Sequence, residues 1–493
     1  MKDLHRICRF EPESPEASGD PLNLNRIMPA EEKEAAVSLL NESSTGIRFF
    51  ILDTVKRVDS VKTDKAFFRD ILAKSLALQV LSLKEVSGLL ELDDRDLWEE
   101  VFDTARRVKE KVYGRRIVLF APLYLSNDCI NDCRYCGFRK GNLKAVRKTL
   151  NVEEALKEAS LLAGRGYKRL LLVAGEHPGL AGVEYLEEII NAIYGNTGIR
   201  ILHLNAAPMS AEDFRRLKSS GAGVYQCFQE TYHIPTYRYL HPSGPKSDYE
   251  WRLNVMDRAI QAGFEDVGMG VLLGLYDWRW EVWALIAHSH RLIKKYGFGP
   301  HTLSVPRLQP AEGTTFFKES KYTVSDMDFK KIVAIYRLAL PYAGVVLSTR
   351  EPAGLRDELF SIGASQVSAG SKTSPWGYID DTDTAQFEIG DRRSLEEIIE
   401  KIASLGLVPS LCTACYREGR SGEKFRELAE KQAIKNCCEQ NALLTLKEYI
   451  EDYATDDVKA LLIKRLAEES EKTGNGIFEK FKLIENGERD VHI

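Results

Sequence analysis

No stretch of the 493 residues approaches the ~20 uninterrupted apolar positions that a membrane-crossing helix requires. The opening segment MKDLHRICRFEPESPEASGD is polar and acidic and lacks the apolar core of a secretory leader, so the chain is expected in the cytoplasm, with no membrane partner. A marked excess of one charge is missing too. The 68 basic and 73 acidic residues leave a formal charge of −5, which gives no electrostatic reason to expect nucleic acid or an anionic lipid surface as a partner. No GxGxxG fingerprint follows the first apolar run, which argues against dinucleotide binding there. Cysteine is sparse, nine in the whole chain, but six of the nine fall into two tight triads. In a large intracellular chain such triads point to metal rather than to disulfides.

Four regions follow from the patterning. Residues 1–28 are polar with Pro and Ser and read as a loose arm. Residues 29–113 read as helices, with apolar residues at helical spacing in STGIRFFILDTVKRV and SLKEVSGLLELDDRDLWEEVFDTARRV. From 114 to 390 the pattern changes to eight short apolar runs, at 116–126, 168–176, 199–208, 221–230, 265–275, 302–310, 344–351 and 364–371. Amphipathic segments such as VEEALKEASLLAG, AEDFRRLKSSG and DYEWRLNVMDRAIQAG separate them, and many end at Gly, which suits a helix C-cap. Strict strand–helix alternation predicts a parallel sheet covered by helices. Eight repeats predict an α/β fold closed as a (βα)8 TIM-type barrel, with an open doubly wound sheet as the alternative. A loop at 372–390 and a helix at about 393–405 lead into a mostly helical C-terminal region, 391–493.

The first triad is Cys129, Cys133 and Cys136, spaced CxxxCxxC, directly after the first expected strand. Three thiolates hold three irons of a 4Fe-4S cube and leave the fourth iron without a protein ligand. S-adenosyl-L-methionine (SAM) can occupy that iron through its amino and carboxylate groups. One electron from the reduced cluster then splits its S–C bond and yields a 5′-deoxyadenosyl radical, chemistry that belongs to the cofactor. A zinc site or a ferredoxin-type cluster would need a fourth ligand, and none is nearby in sequence. Tyr135 before the third cysteine and Gly137 after it strengthen the radical reading. So does the position, since functional loops of this barrel sit at the C-terminal ends of its strands.

Other strand ends supply candidate cofactor contacts. Gly175 and Glu176 close the second strand; Glu176 suits the ammonium of the methionyl group, and Gly175 allows close backbone approach. Asn205 and Glu230 end the third and fourth strands, and Arg252 on the following helix suits a bidentate carboxylate contact. Each taken singly has an ordinary structural reading; their shared mouth raises the functional one.

The second triad opens with Cys412 and Cys415, followed after 22 residues by Cys438. Cys437 is adjacent, so spacing alone leaves the third ligand ambiguous, and Cys437 also keeps a zinc site open. Cys438 is expected just before a helix, where the helix N-terminus favours a thiolate. His301 precedes the sixth strand and is therefore expected at the N-terminal mouth, opposite the first triad. If the C-terminal region caps that mouth, the second triad meets His301 there, and the barrel interior joins two metal sites.

From about 114 to 455 the chain resembles the radical SAM tyrosine lyases of FeFe-hydrogenase maturation, the HydG family. The strings that carry the resemblance include RIVLFAPLYLSNDCINDCRYCGFR, LLLVAGEHP, NAAPM, HPSGPKSDYEWRL, GPHTLSVPR, STREPAGLRDE and CTACYREGR…NALLTLKEY. The C-terminal cysteines discriminate, because the related thiazole-pathway lyase lacks them. The resemblance implies hydrogen abstraction from the amino group of L-tyrosine, cleavage of Cα–Cβ, and release of p-cresol and dehydroglycine. Dehydroglycine becomes carbon monoxide and cyanide at an auxiliary 4Fe-4S cluster. Family register selects Cys438 over Cys437 as its third ligand, with Cys412 and Cys415. His301 is then the ligand of an extra labile iron, which leaves as a carbonyl-cyanide unit for the hydrogenase H-cluster. Arg350 and Ser368 are implied contacts of the tyrosine carboxylate. An electron donor of flavodoxin or ferredoxin type and other hydrogenase maturation proteins are the implied partners. Departures from the family pattern are the first hundred residues, the extra Cys437, the 372–390 loop, and Arg139-Lys140-Gly141, where a second Arg is expected. Two rivals stand beside this reading: a 2-iminoacetate synthase of thiazole synthesis, and a non-enzymatic iron-sulfur carrier or scaffold.

Overall fold

Nine parallel strands form one sheet in the computed structural model, which describes residues 65–380, 385–473 and 476–493. The expected arm and the part of the helical region before residue 65 lie outside the described residues. The strands are β1 (Arg116–Ser126), β2 (Arg169–Ala174), β3 (Ile201–Asn205), β4 (Ala222–Glu230), β5 (Val267–Val271), β6 (Thr302–Ser304), β7 (Gly344–Leu347), β8 (Ala364–Ser368) and β9 (Val408–Ser410). β1 pairs in parallel with both β2 and β8, which closes the first eight strands into a barrel and removes the open-sheet alternative. The chain is a TIM-type α/β barrel with a helical C-terminal region.

β9 is absent from the sequence reading. It is three residues long and contains Pro409, so it carries no strand signal of its own. It pairs in parallel with the first three residues of β1, Arg116–Val118, while β8 takes Val118–Phe120 on the other edge. This short strand delivers Cys412 to the foot of β1.

Local signals fix the helices between the strands. Ser82, Asn151 and Ser394 each cap a helix in a reciprocal capping box with Glu85, Glu154 and Glu397. Along β1, Ile117, Leu119, Ala121, Leu123 and Leu125 join the main core beneath the helices. The intervening Arg116, Val118, Phe120 and Tyr124 therefore face the barrel interior, as the two-residue period of a strand requires. The N-terminal helix Arg95–Tyr113 buries Trp98, Val101, Ala105, Val108 and Val112 against helix Asp326–Ala339. The C-terminal helix Ala433–Asp452 packs on β9 and on Arg95–Tyr113, so the flanking regions share one core with the barrel. Among the described residues no helix is long and apolar enough to cross a membrane.

Candidate active site

The loop that follows β1 carries the first triad and is pinned to several other segments. Ile130 N–H donates to Glu176 O at 2.9 Å, Arg134 N–H to Leu240 O at 3.0 Å, and Gly137 N–H to Gln386 O at 3.1 Å. Asn131 organises it further. Its Nδ2 donates to Glu176 Oε2 at 2.6 Å and lies 3.7 Å from Cys129 Sγ, while its Oδ1 accepts Lys246 N–H at 2.8 Å. Gly175 has to be glycine: a Cβ there would stand 2.3 Å from Asp128 O and 3.2 Å from Cys129 Cβ. Cys133 and Tyr135 are buried among Leu240, Leu272, Leu275, Leu308 and Phe316. Burial pushes the Cys133 thiol up to about 12 and raises Cys136 as well. Thiols held that high ionise against the charge of a bound metal rather than on their own.

The other expected contacts gather at the same mouth. Tyr135 has its hydroxyl 2.9 Å from His241 Nε2, and His241 Nδ1 lies 2.8 Å from Tyr237 O. The ring therefore donates through Nδ1 and accepts the tyrosine proton at Nε2. Glu230 sits in a left-handed backbone conformation, φ 69°, where the β4–β5 register shifts. Burial opposes its ionisation, but Lys246 Nζ at 2.6 Å and Arg252 Nη2 at 3.5 Å hold its carboxyl below the usual range. Arg252 also donates from Nε to Phe228 O at 2.7 Å. Asn205 ends β3 with no side-chain partner among the described residues. Glu176 lies two residues beyond β2 rather than on it, and Arg350 lies in the turn after β7 rather than on that strand. Arg350 stacks on Phe387, its guanidinium carbon 3.2 Å from the ring centroid, and no described carboxylate pairs with it. Ser368 closes β8, and its hydroxyl accepts Thr349 N–H at 3.2 Å. Lys246 and Asn131 were not singled out in the sequence; their role is visible only once the loop closes on β2 and β4.

At the opposite mouth one cavity is lined by Arg116, Arg169, His301, Cys412, Cys415, Cys437 and Cys438. The expected convergence of the second triad with His301 is present. Cys438 hydrogen-bonds Cys415, and this contact, followed by Arg116 and Arg420, lowers the Cys415 thiol to about 6. The same contact and burial push Cys438 up. Burial opposes the charge on Arg116, yet the three facing cysteines, Cys438 first, raise its pKa. Arg116 Nε, Arg169 Nε and Thr413 Oγ1 are buried there without a hydrogen-bond partner among the described residues. Arg169 does donate from Nη2 to Cys412 O at 2.9 Å. His301 Nδ1 stands 3.0 Å from Asp266 Oδ1, a buried oxygen with no hydrogen-bond partner among the described residues. One expectation is corrected. Cys438 does not precede a helix but is the sixth residue of Ala433–Asp452, past the first turn where free N–H groups stabilise an anion. The Arg116 guanidinium supplies the positive field at Cys438 instead.

Among the described residues no three His, Cys, Asp or Glu side chains close around a point as they would on a single ion. The fit to iron-sulfur clusters rests on the donor sets: three thiols at each mouth, and at the lower one orphaned buried cationic N–H groups suited to an anionic cluster. Gln366 also lines the lower cavity, and His203 lies beside it, edge-on to Tyr416 with ring centroids 5.8 Å apart; burial, then Arg169 and His301, keep His203 neutral.

Comparison with known proteins agrees with this geometry. Residues 123–287 match the radical SAM superfamily model, and residues 304–408 match the Biotin and Thiamin Synthesis associated domain. The 2-iminoacetate synthase of Salmonella typhimurium is 34% identical over 331 residues, 67% of this chain and 86% of that protein. A crystal structure of HydG, a maturase of the FeFe-hydrogenase, superposes with a TM-score of 0.85 at 41% identity, covering 95% of this chain and all of the other. The HydG of Carboxydothermus hydrogenoformans gives 0.76 at 40% identity, covering 92% of this chain and 99% of that one.

Proposed function

Because the chain belongs to the radical SAM tyrosine lyases, the family of HydG and 2-iminoacetate synthase, we propose that it cleaves L-tyrosine at Cα–Cβ to p-cresol and dehydroglycine. It then converts dehydroglycine to carbon monoxide and cyanide at a second iron-sulfur cluster. The products go into Fe(CO)(CN) units for the H-cluster of FeFe-hydrogenase, which makes other maturation proteins its partners. One observation carries the HydG reading over a 2-iminoacetate synthase: a second set of cysteines with His301 at the barrel's lower mouth. The HydG match covers 95% of this chain, too much to omit the region 391–493, whereas the 2-iminoacetate synthase match covers 67%.

Cys129, Cys133 and Cys136 hold the 4Fe-4S cluster to which SAM binds. When reduced, that cluster supplies the electron that cleaves SAM. The chain's own residues bind and orient. Gly175 lets the loop lie flat against β2, and Glu176 and Asn205 present polar oxygens to the methionyl end. Arg252 and Lys246 fix Glu230 in its strained position. Tyr135 offers its backbone, since its hydroxyl is engaged by His241. Arg350, stacked on Phe387, has no carboxylate partner among the described residues, which suits a substrate carboxylate, with Ser368 at the end of the adjacent strand.

Cys412, Cys415 and Cys438 hold the auxiliary cluster, within the C-terminal region 391–493. Arg116 and Arg169 balance its charge, and His301 takes the extra iron. Asp266 sets how His301 does so. Its carboxylate, 3.0 Å from Nδ1, suits a proton carried on that nitrogen, which leaves the Nε2 lone pair for metal, the usual arrangement of a ligating histidine. Asp266→Ala is expected to weaken binding of the extra iron by about 10–100-fold while the cluster irons stay. Iron analysis and EPR of the reconstituted variant check this; unchanged occupancy of the extra iron removes Asp266 from the site.

The overall reading is tested by incubating reconstituted protein with SAM, tyrosine and reductant under anaerobic conditions. p-Cresol, 5′-deoxyadenosine, carbon monoxide and cyanide are expected. Intact release of dehydroglycine without carbon monoxide would identify a 2-iminoacetate synthase instead, and the absence of p-cresol would end the tyrosine assignment.

A further inference from the structure

The segment between the first triad and helix Val152–Gly164 departs from the rest of the surface in charge. Residues 139–150 hold five basic side chains and no acidic one, in a chain whose net charge is −5. Arg139 is engaged by Asp132, and Arg147 is spent on the carbonyls of Asn127 and Phe138. Lys140 and Lys144 are exposed and have no carboxylate partner among the described residues. Between them stands Leu143, 95% exposed, the most exposed large apolar side chain among the described residues. An apolar side chain held out between two unpaired cations has no folding role, and the combination is what a charged docking face presents.

The segment is wired to the cysteines. Arg139 N–H donates to Cys136 O at 3.1 Å, and Lys140 N–H to Asn131 O at 2.7 Å. Three residues of chain, about 11 Å at full stretch, separate Cys136 from Arg139. Asn142, directly before Leu143, donates to Gly137 O at 2.8 Å and to Glu312 O at 3.0 Å. The same turn anchors a second part of the surface, because the Thr314 hydroxyl donates to Arg134 O. Arg134 lies between two site residues and stacks over Tyr239, itself 50% exposed, at 4.3 Å from the ring centroid.

We propose that Lys140, Leu143 and Lys144, with Arg134 and Tyr239, form the docking face for an acidic one-electron carrier protein. This rests on the reading that the first triad holds the SAM cluster. The carrier gives up one electron and the cluster gains it, with no proton or covalent bond involved. Unpaired lysines around an apolar tip complement a carrier whose redox group is rimmed by carboxylates, and these exposed residues continue directly from the cysteine loop. A small, charge-steered contact fits a partner that must dock and leave in each turnover.

The test compares two reductants on the reconstituted, full-length protein. Reduction of the cluster is followed by stopped-flow absorbance, with a fully reduced flavodoxin as carrier and with dithionite as the small-molecule control. In K140E/K144E the second-order rate with flavodoxin is expected to fall about tenfold or more, and its salt dependence to flatten. L143S is expected to slow the same reaction without changing its salt dependence. Reduction by dithionite should stay within about twofold of wild type in both variants, as should dithionite-supported p-cresol formation. An unchanged flavodoxin rate overturns the proposal. So does a parallel loss with both reductants, which would make the loop a support of the cluster. A flavodoxin rate that depends on the loop in a protein making no p-cresol would uphold the docking face and overturn the lyase reading.

Discussion

The double variant Cys412→Ser, Cys415→Ser is expected to release p-cresol at close to the wild-type rate while carbon monoxide and cyanide vanish. The argument is geometric. β1 runs from Arg116, in the lower cavity, to Ser126, three residues before Cys129. At about 3.3 Å per residue and a tilt of about 36°, its ends are roughly 27 Å apart along the barrel axis. No residue named at the upper mouth lines the lower cavity. On the proposed division of labour, tyrosine cleavage needs only the upper mouth, and the fate of dehydroglycine is decided below. Neither cysteine is fully buried, and their segment is anchored by β9 and by Arg169, so folding should survive. Headspace carbon monoxide, derivatised cyanide and chromatographed p-cresol are measured on one sample. If p-cresol is lost along with the gases, the two mouths do not divide the work.

Cys136→Ser is expected to have the opposite signature: no 5′-deoxyadenosine, no p-cresol and neither gas, with thermal unfolding little changed. Turnover should drop to background, a loss on the order of 10⁶-fold or more, since enzymic accelerations begin there. The fold should hold because the loop's frame is backbone hydrogen bonding to Glu176, Leu240 and Gln386, none of which uses the thiol. Retained 5′-deoxyadenosine would mean that Cys136 is not a cluster ligand. A collapse of the melting temperature would mean that the cluster is part of the fold. Comparing the melts of the apo wild type and the variant separates the two effects.

Most of the barrel was legible in the chain because buried parallel strands leave near-continuous Val, Ile and Leu runs. RIVLFAPLYLS and KRLLLVAGE announce β1 and β2 without help from elsewhere. β9 was not legible: three residues with a proline at the centre are a strand only because β1 offers an edge. The start of helix Ala433–Asp452 was missed for a related reason, since no capping side chain marks it and Gln432 stands there at φ 57°. The cysteines and His301 were readable from spacing and from position relative to strands. Asp266 and Lys246 were not, because a single acidic or basic residue acquires meaning only from what faces it. Arg350 was named through the family resemblance; the observation that no described carboxylate meets it came only from the fold. Of the expected N-terminal helical region, the described residues hold the helices Lys65–Leu76, Leu83–Glu91 and Arg95–Tyr113.

β1 also acts as a ruler. One uninterrupted strand carries Arg116 at the second cysteine group and leads into the first, and it is hydrogen-bonded along both edges. Its side chains alternate between core and interior, so removing a single residue from the middle exchanges the two sets for everything on one side of the cut. Arg116 would turn toward the helices, or Tyr124 would leave Phe138 and Gln386. The number of residues between the two cysteine groups is thus as tightly constrained as the identity of the cysteines. Lineages of this enzyme should tolerate insertions in the loops around the barrel long before they tolerate one in this strand.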